Sequence, residues 1–197
     1  IYVASYTVYM PSNPNKSLIE IAVENQEYMY NYHSKLNATH PYESRWYTWP
    51  IDLRPIWLYA NYNLPDGKAS TIASFGNPAI WWLSTIAIFI SIIYTIKDKD
   101  KVGLLLLVAY AFQYIPWMLT TRCTFIYAYF TPLPYAIFLL VYCFKKFKWK
   151  NKFTKALLAI YLLTVLVLFI RFYPVISGMP VSKDYINSLK WFETWAF

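Results

Sequence analysis

Hydrophobic and polar positions fall in long blocks along this chain rather than alternating residue by residue. Four stretches, 78–96, 102–119, 125–144 and 156–173, are almost free of charge. Each is close to the roughly 20 residues that a helix needs to cross a bilayer core. The gaps between them are short, so consecutive helices are predicted to run antiparallel. The pattern divides the chain into 1–76, 77–173 and 174–197. The first part holds the end of a preceding helix, an amphipathic helix and a loop, the second a bundle of four transmembrane helices, and the third a tail. The expected fold class is an all-α integral membrane protein, with an irregular, aromatic-rich loop beside the bundle.

The segment ahead of the bundle has its own pattern. Ile1 to Met10 is apolar but too short to span, and reads as the tail of a helix that begins earlier. Pro11-Ser12-Asn13-Pro14 makes a turn. Ser17-Leu18-Ile19-Glu20 matches a capping box, a serine followed three residues later by glutamate. A helix is predicted from Ser17 to about Leu36, with Leu18, Ile21, Ala22, Met29, Tyr32 and Leu36 near one face. Such a tyrosine-rich face suits the membrane interface, and packing on neighbouring protein gives the same pattern. Beyond it, His40 to Tyr59 interleaves aromatic rings with polar groups and prolines that break any long helix. Those rings suit interfacial anchoring, and they suit stacking on sugars or isoprenes.

Composition and charge sharpen this picture. Only 14% of positions are charged, against about 25% in a soluble domain. The net charge is +8, and half of the 18 basic residues lie in 97–101 and 145–155, the two loops between apolar spans. That is the positive-inside pattern, which accounts for the charge without nucleic acid. It places the lysine-rich loops in the cytoplasm and 11–76, the Thr120–Thr124 hairpin and the tail on the outer side. Arg171 then snorkels at the outer end of the last helix.

Candidate chemistry is sparse. No phosphate loop, Ser-His-Asp spacing, HExxH or CxxC occurs. Pro41 interrupts the helix that His33 and His40 would need in order to share a face, so no metal site is expected. Cys123 and Cys143 sit about 30 Å apart along one predicted helix, beyond disulfide reach. Pro116, Pro132 and Pro134 interrupt the second and third spans, as in membrane helices that line a cavity or pack on protein. Arg122 lies at the outer mouth between those spans. A cation at that depth is costly unless paired or used; its guanidinium suits a ligand phosphate as well as a lipid headgroup.

The stretch His40-Pro41-Tyr42-Glu43-Ser44 … Trp46-Tyr47-Thr48-Trp49-Pro50 … Arg54-Pro55-Ile56-Trp57 resembles the outer-loop signature of protein O-mannosyltransferases. Gly76-Asn77-Pro78-Ala79-Ile80-Trp81-Trp82 is similar to that family's G-N-P-x-x-W-W element. Arg122 … Phe125-Ile126-Tyr127-Ala128-Tyr129-Phe130 … Pro134 resembles its R-x-x-F-x-Y-H-Y-x-P-like segment. Ala128 stands where the family commonly has a histidine, so no acid–base role is carried to that position. The tail, with Gly178 to Ser182 and Leu189 to Phe192, fits as well, and the resemblance runs nearly the whole chain in order.

That resemblance implies a GT-C-type glycosyltransferase passing mannose from a polyprenyl-phosphate carrier to Ser or Thr hydroxyls of exported proteins. The reaction it implies is an inverting displacement. A carboxylate acts as general base and cations stabilise the departing phosphate. The family's Asp-Glu pair belongs to the N-terminal half of its members, so no catalytic residue is expected here, and Glu43, Asp52 and Asp66 do not inherit the role. The implied substrate-binding residues are Arg122 on the carrier phosphate with Tyr127 or Tyr129 nearby, and His40, Glu43, Trp49 and Arg54 along the outer cavity. No cofactor is implied, lipid-linked mannose being a co-substrate, and no metal. The implied partners are that donor, acceptor proteins, the bilayer and the N-terminal half of the enzyme. The short passage from Met10 to Ser17 leaves no place for the β-trefoil of eukaryotic members. It points to a bacterial-type protein in the plasma membrane, active side and C-terminus outward. The alternatives are another lipid-phosphate-sugar transferase, or a non-catalytic membrane subunit or transporter fragment.

Overall fold

The computed structural model describes residues 1–36, 38–147 and 150–197. It divides into two compact units, one of 1–39 with 121–123 and one of 40–120 with 124–197.

In the first unit a 3-10 run, Val3–Ser12, precedes helix α1, Leu18–Lys35. The capping box forms as the spacing predicts. The Glu20 N–H donates to Ser17 Oγ at 3.3 Å, and Glu20 Oε2 accepts the Ser17 N–H at 2.7 Å. Two of the orphan donors at the helix start are thereby satisfied. Ile21 and Ala22, with Leu18, bury against Tyr6. Gln26 donates to the Tyr6 hydroxyl at 2.9 Å and to that of Tyr2. Met29 and Tyr32, expected on the same face, are exposed.

The second unit is mostly helical, and among the described residues three helices are long and apolar enough to cross a membrane: Pro78–Asp98, Lys101–Leu119 and Lys152–Ser177. Helix α2, Pro78–Asp98, starts on an Asn77 cap whose Oδ1 accepts the Ala79 N–H at 3.1 Å. The Asn77 amide also donates to the Val165 carbonyl of α5, Lys152–Ser177, at 2.9 Å. Helix α3, Lys101–Tyr114, tightens into a 3-10 turn, Ile115–Leu119, where Pro116 removes a donor. The third apolar stretch is likewise broken. A 3-10 turn, Ile126–Phe130, precedes α4, Leu133–Lys145, around Pro132 and Pro134.

Small side chains let these helices approach closely. Ser84, Ala87 and Ser91 of α2 are buried, and the Ser91 hydroxyl meets Cys143 Sγ of α4 at 3.2 Å. Small residues at contacts are the usual device where no hydrophobic force separates helix from lipid. Gly103 serves the same end: a Cβ there would lie 2.2 Å from Thr95 Oγ1 and 2.9 Å from the Tyr142 ring. At this lysine-rich end Lys146 bridges Asp98 and Asp100 at 2.8 and 3.1 Å, and the Tyr142 hydroxyl donates to Asp100 at 3.1 Å. The Lys146 bond, with the Val102 and Gly103 N–H groups and Tyr142, outweighs desolvation and holds the Asp100 carboxyl down at about 2.

At the opposite end of α2 the expectation of an all-α chain with an irregular loop is corrected. Strands β1, Ile56–Asn61, and β2, Lys68–Ser74, form an antiparallel hairpin, and β3, Val181–Ser182, adds to β2. Pro65-Asp66-Gly67 makes the turn, with Asp66 and Gly67 at positive φ. A bulge between Trp57 and Tyr59 shifts the register. The strands escape the sequence pattern because β2, after its exposed Lys68, is buried on both faces and built of Ala, Ser and Thr around a single Ile72, so no apolar alternation marks it. After a short α6, Lys183–Ser188, the last residues turn under the sheet, and Phe75 packs between Phe172, Trp195 and Phe197.

Candidate functional site

The aromatic loop is held by hydrogen bonds to its own backbone. Pro50 lacks a donor and sits in a 3-10 turn, Trp46–Ile51, so the surrounding carbonyls need partners from elsewhere. The first turns of α2 supply them. The Trp81 indole donates to the Trp49 carbonyl at 2.6 Å, the Thr85 hydroxyl to that of Pro50 at 2.6 Å, and the Trp82 indole to that of Ile51 at 2.9 Å. Tyr114 of α3 donates to the Trp46 carbonyl at 2.9 Å. Ser44 and Thr124 exchange bonds, N–H to carbonyl at 2.8 Å and hydroxyl to carbonyl at 2.7 Å. The loop is thus tied to the helix ends at five carbonyls, and an exposed segment becomes a fixed platform.

Asp52 is the most unusual group in it. It is fully buried, with φ 52° in the left-handed region. Its Oδ2 accepts the Gly76 N–H at 2.9 Å, and its carbonyl accepts the Trp195 indole at 2.8 Å. Oδ1 has no partner, and no cation pairs with the carboxyl among the described residues. Burial pushes the carboxyl up to about 7, the Gly76 bond opposing it. Gly76 is required at this corner, since a Cβ would lie 1.8 Å from the Trp81 ring. Sequence reasoning gave Asp52 no role and did not single out Trp195; the signal that points to Asp52 is the Gly76–Trp82 element, whose glycine N–H it accepts.

Of the expected site residues, Glu43 and Arg54 come together in one recess of about 220 Å³, walled also by Ser44, Arg45, Tyr47, Thr48, Leu53 and Thr194. Arg54 donates to the Pro41 carbonyl at 2.5 Å, and Thr194 caps the Leu53 carbonyl, so the recess walls are cross-linked. His40 stands apart from that lining, with Nδ1 accepting the Tyr42 N–H at 3.1 Å and the ring edge-on to Phe125 at 5.0 Å. Tyr127 is exposed and stacks on Phe125 at 5.5 Å. Trp49 and Tyr129 are fully buried. The Trp49 indole donates to Ser44 Oγ at 2.9 Å and the Tyr129 hydroxyl meets that of Tyr110 at 3.1 Å, so both are pillars of the platform. Arg122 belongs to the first unit and has no ion-pair partner among the described residues. No group of three or more His, Cys, Asp or Glu able to hold a metal occurs among the described residues.

A recess with a carboxylate, guanidinium groups, hydroxyls and an exposed ring can bind a polyhydroxylated or peptide ligand by hydrogen bonding and stacking. Comparison with known proteins identifies the family. Residues 18–195 match the family model for the C-terminal four TMM region of protein-O-mannosyltransferase. The chain is 28% identical, over 92% of its length, to dolichyl-phosphate-mannose–protein mannosyltransferase 5 of Candida albicans, and covers 29% of that protein. It is 30% identical, over 84% of its length, to polyprenol-phosphate-mannose–protein mannosyltransferase of Mycolicibacterium smegmatis, and covers 36% of it. The chain thus spans about a third of the length of these curated relatives. Its fold is similar to a chain of the S. cerevisiae protein O-mannosyltransferase Pmt1-Pmt2 complex bound to the sugar donor, with TM-score 0.76 and 24% identity over 92% of this chain and 27% of that one. With the family model matched over nearly its whole length, the chain belongs to the protein O-mannosyltransferases, as their C-terminal membrane region.

Proposed function

We propose that the protein carrying this region transfers mannose from a polyprenyl-phosphate donor to Ser and Thr hydroxyls of exported proteins. The observation that carries this reading is the family match over residues 18–195, and the names of the relatives supply the donor and acceptor classes. Four crossings follow if α4 counts with the 3-10 turn before it. Thirteen α residues and five 3-10 residues rise about 20 and about 10 Å, together near the roughly 30 Å hydrocarbon core. The lysine-rich ends then face the cytoplasm, and the aromatic platform, the recess and the C-terminal segment face outward.

In this reading Arg122 holds the carrier phosphate, where a bidentate guanidinium offsets the charge that develops as the lipid departs. Glu43 and Arg54 hold the acceptor in the recess through hydrogen bonds. His40 and the exposed Tyr127 ring flank the acceptor path. Trp49 and Tyr129 act through the platform. The catalytic base comes from the remainder of the enzyme.

Reconstituted full-length protein, given labelled polyprenyl-phosphate-mannose and a Ser/Thr-rich peptide, tests the proposal. Label appearing on peptide hydroxyls is expected. Label passing only to a glycolipid, or no transfer at all, overturns it.

A further inference from the structure

The lysine-rich end of the bundle carries a feature that mannosyl transfer does not use. Residues 97–101 and 145–155 together hold nine lysines and two aspartates, so a net +7 of the chain's +8 lies there. The positive-inside rule accounts for their number and for nothing in their arrangement. Two adjacent residues of the α4 terminus are used differently. Lys146 turns inward, where Asp98 and Asp100 neutralise it and the Tyr142 ring lies 5.0 Å beneath its ammonium. Lys145 has no carboxylate partner among the described residues and lines a groove between α3 and α4.

That groove has a volume of about 210 Å³, and its remaining lining is Val102, Leu106, Phe138, Val141 and Tyr142. Val102, Phe138 and Val141 are exposed on helices that, by length and apolarity, sit in or beside lipid. The result is an apolar trough running along the bundle with one ammonium at its end. The α4 carbonyls at the same terminus favour a cation there. Lys146 offsets one of the two charges of Asp98 and Asp100, the Tyr142 hydroxyl donates to Asp100, and Lys97, Lys99 and Lys101 at the same end outweigh the charge that remains.

We propose that this groove seats one anionic glycerophospholipid, with an acyl chain along Leu106, Phe138 and Val141 and the headgroup phosphate on Lys145. Basic pockets between membrane helices recognise anionic headgroups in this way. The donor's polyprenyl phosphate is not the occupant. The platform and recess adjoin the N-terminus of α2 and the groove adjoins its C-terminus, and α2 is 21 residues, about 30 Å. The groove therefore serves lipid anchoring, apart from sugar transfer.

Native mass spectrometry of the full-length protein, extracted in mild detergent from membranes of equal phosphatidylglycerol and phosphatidylcholine, tests this. One phosphatidylglycerol should be retained over phosphatidylcholine by about fivefold, the factor one lysine is worth at an anionic surface. Lys145→Gln should bring the ratio to near one. Leu106→Trp, which fills the trough, should abolish retention of both lipids. Lys97→Gln, at the same end but off the groove, should leave the ratio unchanged. Added polyprenyl phosphate should not displace the lipid. A photocrosslinker at Val141 in otherwise unaltered protein should capture phospholipid. Equal retention of the two lipids, an equal loss with Lys97→Gln, displacement by polyprenyl phosphate, or crosslinking to another part of the protein would each overturn the proposal.

Discussion

Replacing Asp52 by asparagine isolates the one buried acid in the platform. The amide oxygen can keep the Gly76 N–H, and asparagine tolerates the left-handed backbone that Asp52 adopts. Its NH2 enters the place of the unpartnered Oδ1, a pH-independent offset of about 1–3 kcal/mol. The slope with pH is therefore the informative quantity. In the folded chain the carboxyl is raised from 3.8 to about 7, at most about 4 kcal/mol between protonation states. Stability from this group is full below pH 3.8 and is lost as pH rises through about 7. At about 2–4 °C per kcal/mol for a chain of this size, that is of order 10 °C. Thermal melting in detergent from pH 4 to 8.5 should show wild type falling relative to Asp52→Asn up to about pH 7 and level beyond it. Parallel curves throughout would show a solvated or cation-paired carboxylate instead of a buried unpaired one. So would a wild type that gains on the variant with rising pH.

Other outcomes follow from the same contacts. Gly76→Ala drives a methyl into the Trp81 ring and should destabilise the platform by about 1–3 kcal/mol, read as a lowered melting midpoint with loss of Trp81 near-UV dichroism. Asp100 is held near 2, so the stability it contributes is present above its ordinary 3.8 and is lost as pH falls towards 2. Lys146→Gln should remove that acid step from a melting series. Ser17→Ala removes the cap acceptor of α1 and should cost about 1 kcal/mol, seen as faster hydrogen exchange of the Glu20 and Ile21 amides.

The helices were legible where local chemistry and run length agree. The capping box at Ser17, the Asn77-Pro78 start and the long apolar runs each mark their helix. The fourth run extends further than its charge-free part, because the first turn of α5 carries Lys152 and Lys155 at a membrane edge where polar residues are tolerated. The sheet was hidden for a different reason. Pro65-Asp66-Gly67 is a turn signal, but the strands beside it take their burial from the C-terminal segment, far along the sequence. The site was legible as a set of residue types and less so as roles. Glu43 and Arg54 share a recess, whereas Trp49 and Tyr129 spend their polar atoms inside the platform. Indole and phenol groups suit either use, and only burial separates them. Asp52 carried no motif of its own, because its environment is assembled from Gly76 and Trp195, distant in sequence.

In the proposed function this membrane region serves lipid-linked mannosyl transfer, with Arg122 on the carrier phosphate. Arg122→Ala in the reconstituted full-length enzyme, assayed with polyprenyl-phosphate-mannose and a Ser/Thr peptide, addresses it most directly. A loss of transfer of roughly a hundredfold or more is predicted, the scale of removing one charge-stabilising group from a developing anion. Near-normal turnover would remove Arg122 from the mechanism.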